Sequence, residues 1–249
     1  MTTVLLGTPT TRDFDALHVS CLLQTDMDKM TSIWYPVVGQ SIDVGRNIIV
    51  DFALKTKEKP DFLMFIDSDA TWHPGAVKRL ISRNLPVVTG VIFKRGLPPV
   101  PTFGTYAGRN AENDHMYNFG KMSDEIIKRT TERKFDLQTE NALLLDKKDD
   151  DLVEIDGTGM HFCCIRRDVL EKIKPPRFTR TSWLAGEDFD FCRKVREAGI
   201  KIYADFSVYT GHIFSAGMEE GLREFLAFYT YTQDVDNLSP YTLVKGQND

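Results

Sequence analysis

The sequence predicts an α/β fold with a mixed, mostly parallel sheet flanked by helices. Strand-like and helix-like segments alternate over the first hundred residues, which is typical of parallel strands joined by helices. The strand-like segments are continuous apolar runs, as expected of strands covered on both faces. With 249 residues, 42% of them apolar and 27% charged, the chain is long enough for one large globular domain or two small ones.

The elements of the first half follow from local sequence. Residues 33–38 are β-branched and aromatic, and residues 62–66 form the apolar run FLMFI, so both predict strands. Pro74 is well placed as the first residue of a helix. The full set comprises strands at 4–6 (ending in the turn Gly7-Thr8-Pro9), 33–38, 62–66 and 86–93, and helices at 16–23, 43–57 and 74–83.

The second half begins with an irregular region. Residues 104–151 break the alternation, and their charged end, 146–151, predicts a solvated loop. Order returns at residue 152. The expected elements are strands within 153–165, a helix at 167–173, a helix at 186–198 ended by Gly199, a strand at 200–209 leading to Gly211 and His212, and an amphipathic helix at 218–229 before a polar tail.

Composition limits the function classes. The net charge of −5 argues against a surface built entirely to bind nucleic acid, although it leaves room for a local basic groove. No apolar run is long enough to cross a bilayer, and the N-terminus lacks the features of a signal peptide, so we expect a cytoplasmic protein. Nothing in the sequence indicates an obligate protein partner. The four cysteines show no metal-binding or disulfide spacing, which favours buried reduced thiols.

The first chemical motif is Asp67-Ser68-Asp69, directly after the apolar run 62–66. Residues i and i+2 of an extended segment point to the same side, so two carboxylates emerge together at the carboxyl end of a buried strand. Such oxygens suit Mg²⁺ or Mn²⁺, which also bind diphosphates. The alternative is an ordinary acidic turn, but the position after the strand favours a metal site.

The second motif is Gly186-Glu187-Asp188, at the start of a predicted helix. The helix dipole stabilises ionised carboxylates there, so simple helix capping explains the motif when it is taken alone. An ionised carboxylate is also suited to remove a proton from an attacking hydroxyl.

Two further positions carry chemistry. His212 follows a predicted strand and is either a polar loop residue or a ligand completing the carboxylate metal site. Arg46 suits a diphosphate contact; otherwise it is a surface helix cation paired with Asp43 or Asp51.

Together these motifs resemble the GT-A glycosyltransferases, most closely the family-2-like group. The resemblance covers about residues 3–214 and is most specific in DGTGMHFCCIRRDVLEKI (156–173), WLAGEDFDF (183–191) and His212. It implies Mn²⁺ or Mg²⁺ as cofactor and a nucleotide-sugar donor, with a lean to a UDP-sugar. It also implies an inverting displacement. The roles it implies are metal binding by Asp67, Asp69 and His212, base catalysis by Asp188 with Glu187 in reserve, and nucleotide contacts from Thr8, Pro9, Arg46, Asp67, Ser68 and Asp69.

The resemblance also implies a domain organisation. Residues 1–214 form one catalytic domain, with a nucleotide-binding half at 1–103, an acceptor-side insertion at 104–151 and an acceptor and base half at 152–214; residues 215–249 are a C-terminal helix and tail. The insertion and the residues before the acidic pair depart from the family pattern. Gly157, Thr158, Gly159 and Trp183 are expected on the acceptor side, Trp183 either stacking on the acceptor or packing in the core.

The acceptor is a separate question. The chain is similar to short bacteriophage glycosyltransferases, some of which decorate hydroxymethyl groups on DNA bases, so a hydroxymethylated pyrimidine in DNA is one hypothesis. Lysines and arginines recur at 94–95, 121–134 and 172–180, in segments expected near the acceptor, where they could contact phosphates. The alternative acceptors are a saccharide, a lipid-linked sugar or a protein.

Two other function classes compete with glycosyl transfer. A nucleotidyltransferase would carry a glycine-rich basic loop, whereas the segment GTPTTRD has one glycine. An inactive sugar-nucleotide binding module would have no need for Asp67, Asp69, Asp188 and His212 together.

Overall fold

Helices and strands alternate through the parts of the chain that the computed structural model describes, residues 1–95, 99–111, 114–132, 148–180, 186–214 and 218–220. The strands are β1 Thr2–Thr10, β2 Met30–Val38, β3 Phe62–Ile66, β4 Ala70–Trp72, β5 Val87–Val91, β6 Phe103–Arg109, β7 His115–Asn118, β8 Leu152–Ile155, β9 Gly157–Thr158, β10 Phe162–Arg166, β11 Ile202–Phe214 and β12 Met218–Glu220. The helices are α1 Ala16–Gln24, α2 Ile42–Lys55, α3 Ala76–Ser82, α4 Gly120–Glu132, α5 Arg167–Lys172 and α6 Glu187–Glu197, with a 3₁₀-helix at Asp149–Asp151.

The large sheet has the strand order β12-β11-β5-β10-β3-β1-β2. The strands β2, β1, β3, β5 and β11 run in one direction, and β10 runs the opposite way between β3 and β5. Short strands β4 and β8 pair with β11, and β7-β6-β9 form a small second sheet. The predicted mixed, mostly parallel sheet is confirmed.

Helices cover both faces of the large sheet. One core packs α2, α5 and α6 against the sheet through residues such as Ile49, Leu170 and Phe191. The other packs α3 against the opposite face through Val77 and Leu80. All five residues of β3 are buried, which explains why its sequence shows no polar alternation.

Local sequence explains the helix ends near the site. The Asp15 carboxylate accepts a hydrogen bond from the Leu17 amide and caps α1. Helix α6 carries Glu187, Asp188 and Asp190 in its first turn and Lys194 and Arg196 in its last, the distribution that the helix dipole favours.

Several predicted boundaries are corrected. Strand β1 continues through Gly7-Thr8-Pro9 to Thr10 because β2 pairs with it over that whole length. Helix α3 begins at Ala76, after Pro74. Strand β11 extends to Phe214, so His212 lies within a strand and not in a loop. Residues 218–220, predicted to begin a helix, instead pair with β11 as β12.

The charged run also differs from prediction. Asp151 is fully buried, where Arg83 forms ion pairs with both Asp151 and Asp205. The end of the run is therefore buried. The buried Arg83 supplies the countercharge that the Asp151 carboxylate needs there. Residues 104–132 contain the hairpin β6–β7 and helix α4, which the sequence did not predict.

The cysteines agree with expectation in their redox state. All four are free; Cys163, Cys164 and Cys192 are buried, and Cys21 is partly exposed. Within the described residues, no helix combines the length and apolar character needed to cross a membrane.

Candidate active site

Acidic and imidazole side chains meet at one edge of the large sheet. Asp67 and Asp69 follow the carboxyl end of β3, and His161 precedes β10. Because β10 is antiparallel to β3, with Phe162 opposite Ile66, its start lies at that same edge. The Asp67 amide donates a hydrogen bond to the His161 carbonyl over 2.9 Å, which fixes the two segments together.

The third strand to reach this edge is β11, which brings His212. The pairing of β4 with β11 places His212 opposite Ala70, and the Ile213 amide donates to the Asp69 carbonyl over 2.8 Å. Asp69, His161 and His212 thus offer three ligand atoms within 4.8 Å of one another. His212 Nε2 lies 3.3 Å from an Asp69 oxygen, and His161 Nδ1 lies 3.5 Å from the other.

The remaining nitrogen of each histidine faces a backbone carbonyl. His212 Nδ1 is 3.0 Å from the Phe93 oxygen, and His161 Nε2 is 3.4 Å from the Gly211 oxygen. A carbonyl only accepts, so the outer nitrogens carry protons, while the inner nitrogens face carboxylate oxygens, and a metal bound there would replace any proton that they hold. Outer hydrogen bonds of this kind are typical of metal-ligating histidines. Two imidazoles and a carboxylate fit Mn²⁺ and related divalent ions.

Asp67 is engaged differently from Asp69. Arg46 on α2, 3% exposed, donates to both Asp67 oxygens at 3.1 and 3.2 Å and also bonds Glu187. Burial opposes ionisation of Asp67, but the Arg46 charge and the hydrogen bond from His161 outweigh it and hold the pKa of Asp67 far below its usual range. Arg46 therefore joins the two acidic motifs, and its alternative role as a surface cation paired with Asp43 or Asp51 is wrong.

Asp188 has the opposite electrostatic character. Burial, reinforced by the neighbouring Glu187 charge and opposed by Arg46, raises the pKa of Asp188 to about 6. A Cβ at Gly159 would lie 3.5 Å from an Asp188 oxygen, and one at Gly186 would lie 2.7 Å from the other. Gly186 therefore lets the Asp188 carboxylate pack close to the backbone at the start of α6, where a Cβ would collide with it.

A pocket of about 420 Å³ opens beside Asp188. The insertion hairpin supplies one wall and the start of α6 the other; the lining residues are Lys94, His115, Met116, Tyr117, Phe119, Gly186, Asp188 and Phe189. The ring centroids of Tyr117 and Phe189 are 4.6 Å apart, and Phe119 meets Phe189 edge-on at 5.9 Å. A volume of this size suits a small ligand or one ring of a larger molecule.

No family model matches this chain, and no curated protein matches it in sequence. Among solved structures, it is similar to GalNAc-T7 with UDP, GalNAc and Mn²⁺, with a TM-score of 0.54 and 11% identity over 86% of this chain. The chain has a GT-A fold. It spans 44% of the GalNAc-T7 chain. It also matches A197 from STIV, with a TM-score of 0.48 and 19% identity over 86% of this chain and 87% of that one.

In this GT-A fold, the other predicted site residues have distinct positions. Thr8 is buried, and its hydroxyl accepts a hydrogen bond from the Trp34 indole over 3.1 Å. Pro9 packs against Gly45 of α2, where a Cβ would lie 3.3 Å away. The Ser68 carbonyl accepts from the Asp15 amide at the start of α1. These contacts join β1 to β2 and α2, and the turn after β3 to the start of α1.

The predicted acceptor residues contribute mainly by their small size. A Cβ at Gly157 would lie 2.7 Å from the Tyr117 ring and 2.8 Å from the Phe189 ring, so glycine allows these rings to meet. The Thr158 side chain is buried and donates to the Gly159 carbonyl. Trp183 lies outside the described residues, and its predicted place at the acceptor stays a prediction.

Sequence reasoning missed His161 and the aromatic wall. His161 lies inside the family-like stretch 156–173, so that resemblance was the available signal. Tyr117 and Phe119 lie in the insertion. Because the insertion has no clear family counterpart, the resemblance could not identify a pocket there.

Proposed function

We propose that this chain is a metal-dependent glycosyltransferase that moves a sugar from a nucleotide-sugar donor to a hydroxyl acceptor. The observation that carries the proposal is the paired orientation of His161 and His212, whose inner nitrogens face Asp69 while their outer nitrogens face backbone carbonyls. Three such ligands, beside a poised carboxylate and a pocket, make a suitable site for a diphosphate donor and its acceptor.

The described side chains support a division of roles. Asp69, His161 and His212 would hold the metal, with Asp67 beside them; the metal would offset the negative charge on the departing nucleoside diphosphate. Mn²⁺ and a UDP-sugar are the proposed cofactor and donor, since GalNAc-T7, of similar fold, is named with UDP and Mn²⁺. Trp34, 42% exposed beside Thr8, offers an aromatic face for the nucleotide base.

Asp188 is the proposed base of an inverting displacement. Glu187 is bound to Arg46, whereas Asp188 lines the pocket and has a pKa raised to about 6. A base with a pKa near the working pH is both largely ionised and able to hold the proton it takes from the acceptor hydroxyl. These contacts favour Asp188 over Glu187.

A hydroxymethylated pyrimidine in DNA is the proposed acceptor. The aromatic wall can stack on a flat base. His115 at the pocket lies near Arg109, Arg193 and Arg196, whose guanidinium groups could contact phosphates if Arg193 and Arg196 exchanged their present carboxylate partners. A base held in a pocket would have to leave the duplex or come from a single strand. We also propose the division into a nucleotide-binding half at 1–103, an acceptor-side insertion at 104–151 and an acceptor and base half at 152–214.

The proposal is tested by incubating the protein with a panel of nucleotide sugars and Mn²⁺ and measuring release of nucleoside diphosphate. Asp69→Ala should abolish Mn²⁺-dependent donor binding while the protein stays folded. Asp28→Ala, at an exposed carboxylate outside the site, is the matched control and should bind donor normally. Unchanged donor and metal binding by Asp69→Ala would contradict the metal assignment, and pyrophosphate release would indicate nucleotidyl transfer instead.

The acceptor and the stereochemistry need separate measurements. Oligonucleotides carrying hydroxymethylated pyrimidines should receive the sugar, and their binding should weaken steeply with salt. Transfer to saccharides alone would refute the DNA acceptor and leave glycosyl transfer intact. A product that retains the donor's anomeric configuration would refute the inverting displacement.

A further inference from the structure

Lys94 lines the proposed acceptor pocket and has no role in the function proposed above. It lies three residues beyond the end of β5, and its ammonium lies 3.9 Å from the centroid of the Phe119 ring. Within the described part of the chain, no carboxylate lies at ion-pair distance from it. Loss of hydration beside the aromatic wall lowers the pKa of Lys94, an effect that the charge of Asp188 opposes. The ammonium lines the pocket, so a ligand bound there can contact it.

Lys94 contributes only hydrogen-bond donors to the pocket lining, because an ammonium has three N–H donors and no acceptor. The Tyr117 hydroxyl accepts a hydrogen bond from Arg196, and His115 lies near three arginines and Glu197. Asp188 is the acidic side chain of this lining, and in the proposed reaction it takes the proton of the acceptor hydroxyl. The acceptor ring should therefore present an oxygen, not an amino group, beside that hydroxyl.

Uracil and cytosine differ in the substituent at carbon 4. In a 5-hydroxymethylpyrimidine, the substituent next to the hydroxymethyl group is the one at carbon 4. Uracil carries a carbonyl oxygen there, which accepts hydrogen bonds, and cytosine carries an amino group, which donates them. Lys94 and Asp188 both line the pocket, so with the hydroxyl at Asp188 the carbon-4 substituent can reach Lys94.

We infer that Lys94 selects 5-hydroxymethyluracil over 5-hydroxymethylcytosine as the acceptor base. The inference rests on the proposed function and adds a specificity-determining residue to it. The Lys94 ammonium donates to the carbon-4 carbonyl of uracil, whereas the amino group of cytosine would leave the ammonium facing another donor. Two hydrogen-bond donors that face each other are both left without an acceptor. The site therefore disfavours cytosine.

The test uses the full chain and single-stranded oligonucleotides identical except for one hydroxymethyluracil or hydroxymethylcytosine. The two compete for sugar transfer, and the ratio of their kcat/KM values is measured. Wild type should favour the uracil substrate by roughly ten- to a hundredfold, the range expected for one hydrogen bond to a charged group. Lys94→Gln should reduce the ratio to about threefold or less, because an amide both donates and accepts.

The control is Lys57→Gln, an exposed lysine just after α2 that lies outside the basic segments and does not line this pocket. It should keep the wild-type ratio, and both variants should keep the wild-type melting temperature and donor KM. A wild-type preference for cytosine, or an unchanged ratio in Lys94→Gln, would overturn the inference.

Acceptor binding without donor separates the inference from the proposed function. Fluorescence anisotropy gives the dissociation constants of the two oligonucleotides for wild type and Lys94→Gln. If no sugar is transferred to any acceptor, the proposed function fails, and the binding ratio still decides the role of Lys94. Equal binding of both bases by wild type would refute selection by Lys94 even if glycosyl transfer to DNA occurs.

Discussion

Replacement of His161 by alanine should remove most of the stabilisation that Mn²⁺ gives this protein. His161 is 4% exposed and supplies one of the three clustered ligand atoms, and its Nε2 is already occupied by the Gly211 carbonyl. Altering an outer partner of a metal ligand typically weakens binding ten- to a hundredfold, so losing the ligand itself should cost at least about a hundredfold.

The expected size follows from linkage between binding and folding. At a free Mn²⁺ concentration a hundred times its dissociation constant, binding stabilises the wild type by about 2.7 kcal/mol. For a chain of this length, that raises the melting temperature by roughly 5–10 °C. At the same concentration, a variant that binds a hundredfold more weakly gains only about 0.4 kcal/mol, or roughly 1 °C.

The assay is a thermal melt of each protein with and without Mn²⁺, and again with UDP present. Each variant is compared with itself, so any change in baseline stability from the lost ring cancels. His73→Ala is the control, because its imidazole accepts from the Gly75 amide and lies outside the cluster. A full wild-type shift in His161→Ala, with or without UDP, would refute the role of His161 as a metal ligand.

Two further predictions concern Asp188 and the buried ion pair at Asp205. Asp188→Asn should lower turnover by about 10²–10⁴-fold and keep the donor affinity. The wild-type rate should rise with pH through about 6, because the base acts when it is ionised. A flat pH profile in that range would argue against Asp188 as the base. Its pKa is raised on folding, so wild type should lose stability relative to Asp188→Asn as pH rises from about 4 to 6. Asp205→Ala should lower the free energy of unfolding by about 3–5 kcal/mol, because it leaves Arg83, 4% exposed, without its closest partner; chemical denaturation measures this, and a loss below about 1 kcal/mol would contradict it.

Local sequence was enough to predict the strand and the helix start that carry the two acidic motifs. The run 62–66 is apolar throughout and ends at an acidic motif, so both the strand and its chemical end could be identified without tertiary information. The acidic start of α6 was likewise visible, since helix dipoles act over a single turn.

Strand order determines which residues of distant segments meet at the site. The local periodicity of the sequence does not encode strand order. His161 reaches the metal cluster only because β10 runs antiparallel beside β3. Arg46 finds Asp67 and Glu187 through packing between segments far apart in the chain. The hairpin β6–β7 was missed because its register shifts between Tyr106 and Gly108, where Gly108 has a φ of +102°, and this irregularity disrupts strand alternation.

The guanidinium of Arg46 limits how this chain can be recombined with others of the same fold. A chimera that joins the proposed donor half of one protein to the proposed acceptor half of another brings together an arginine and a glutamate that were never matched. If the incoming half lacks a carboxylate at position 187, the buried cation loses a partner; if the donor half lacks the arginine, two acids face each other without countercharge. Successful exchange of acceptor specificity should therefore use the insertion hairpin and leave the start of α6 in place.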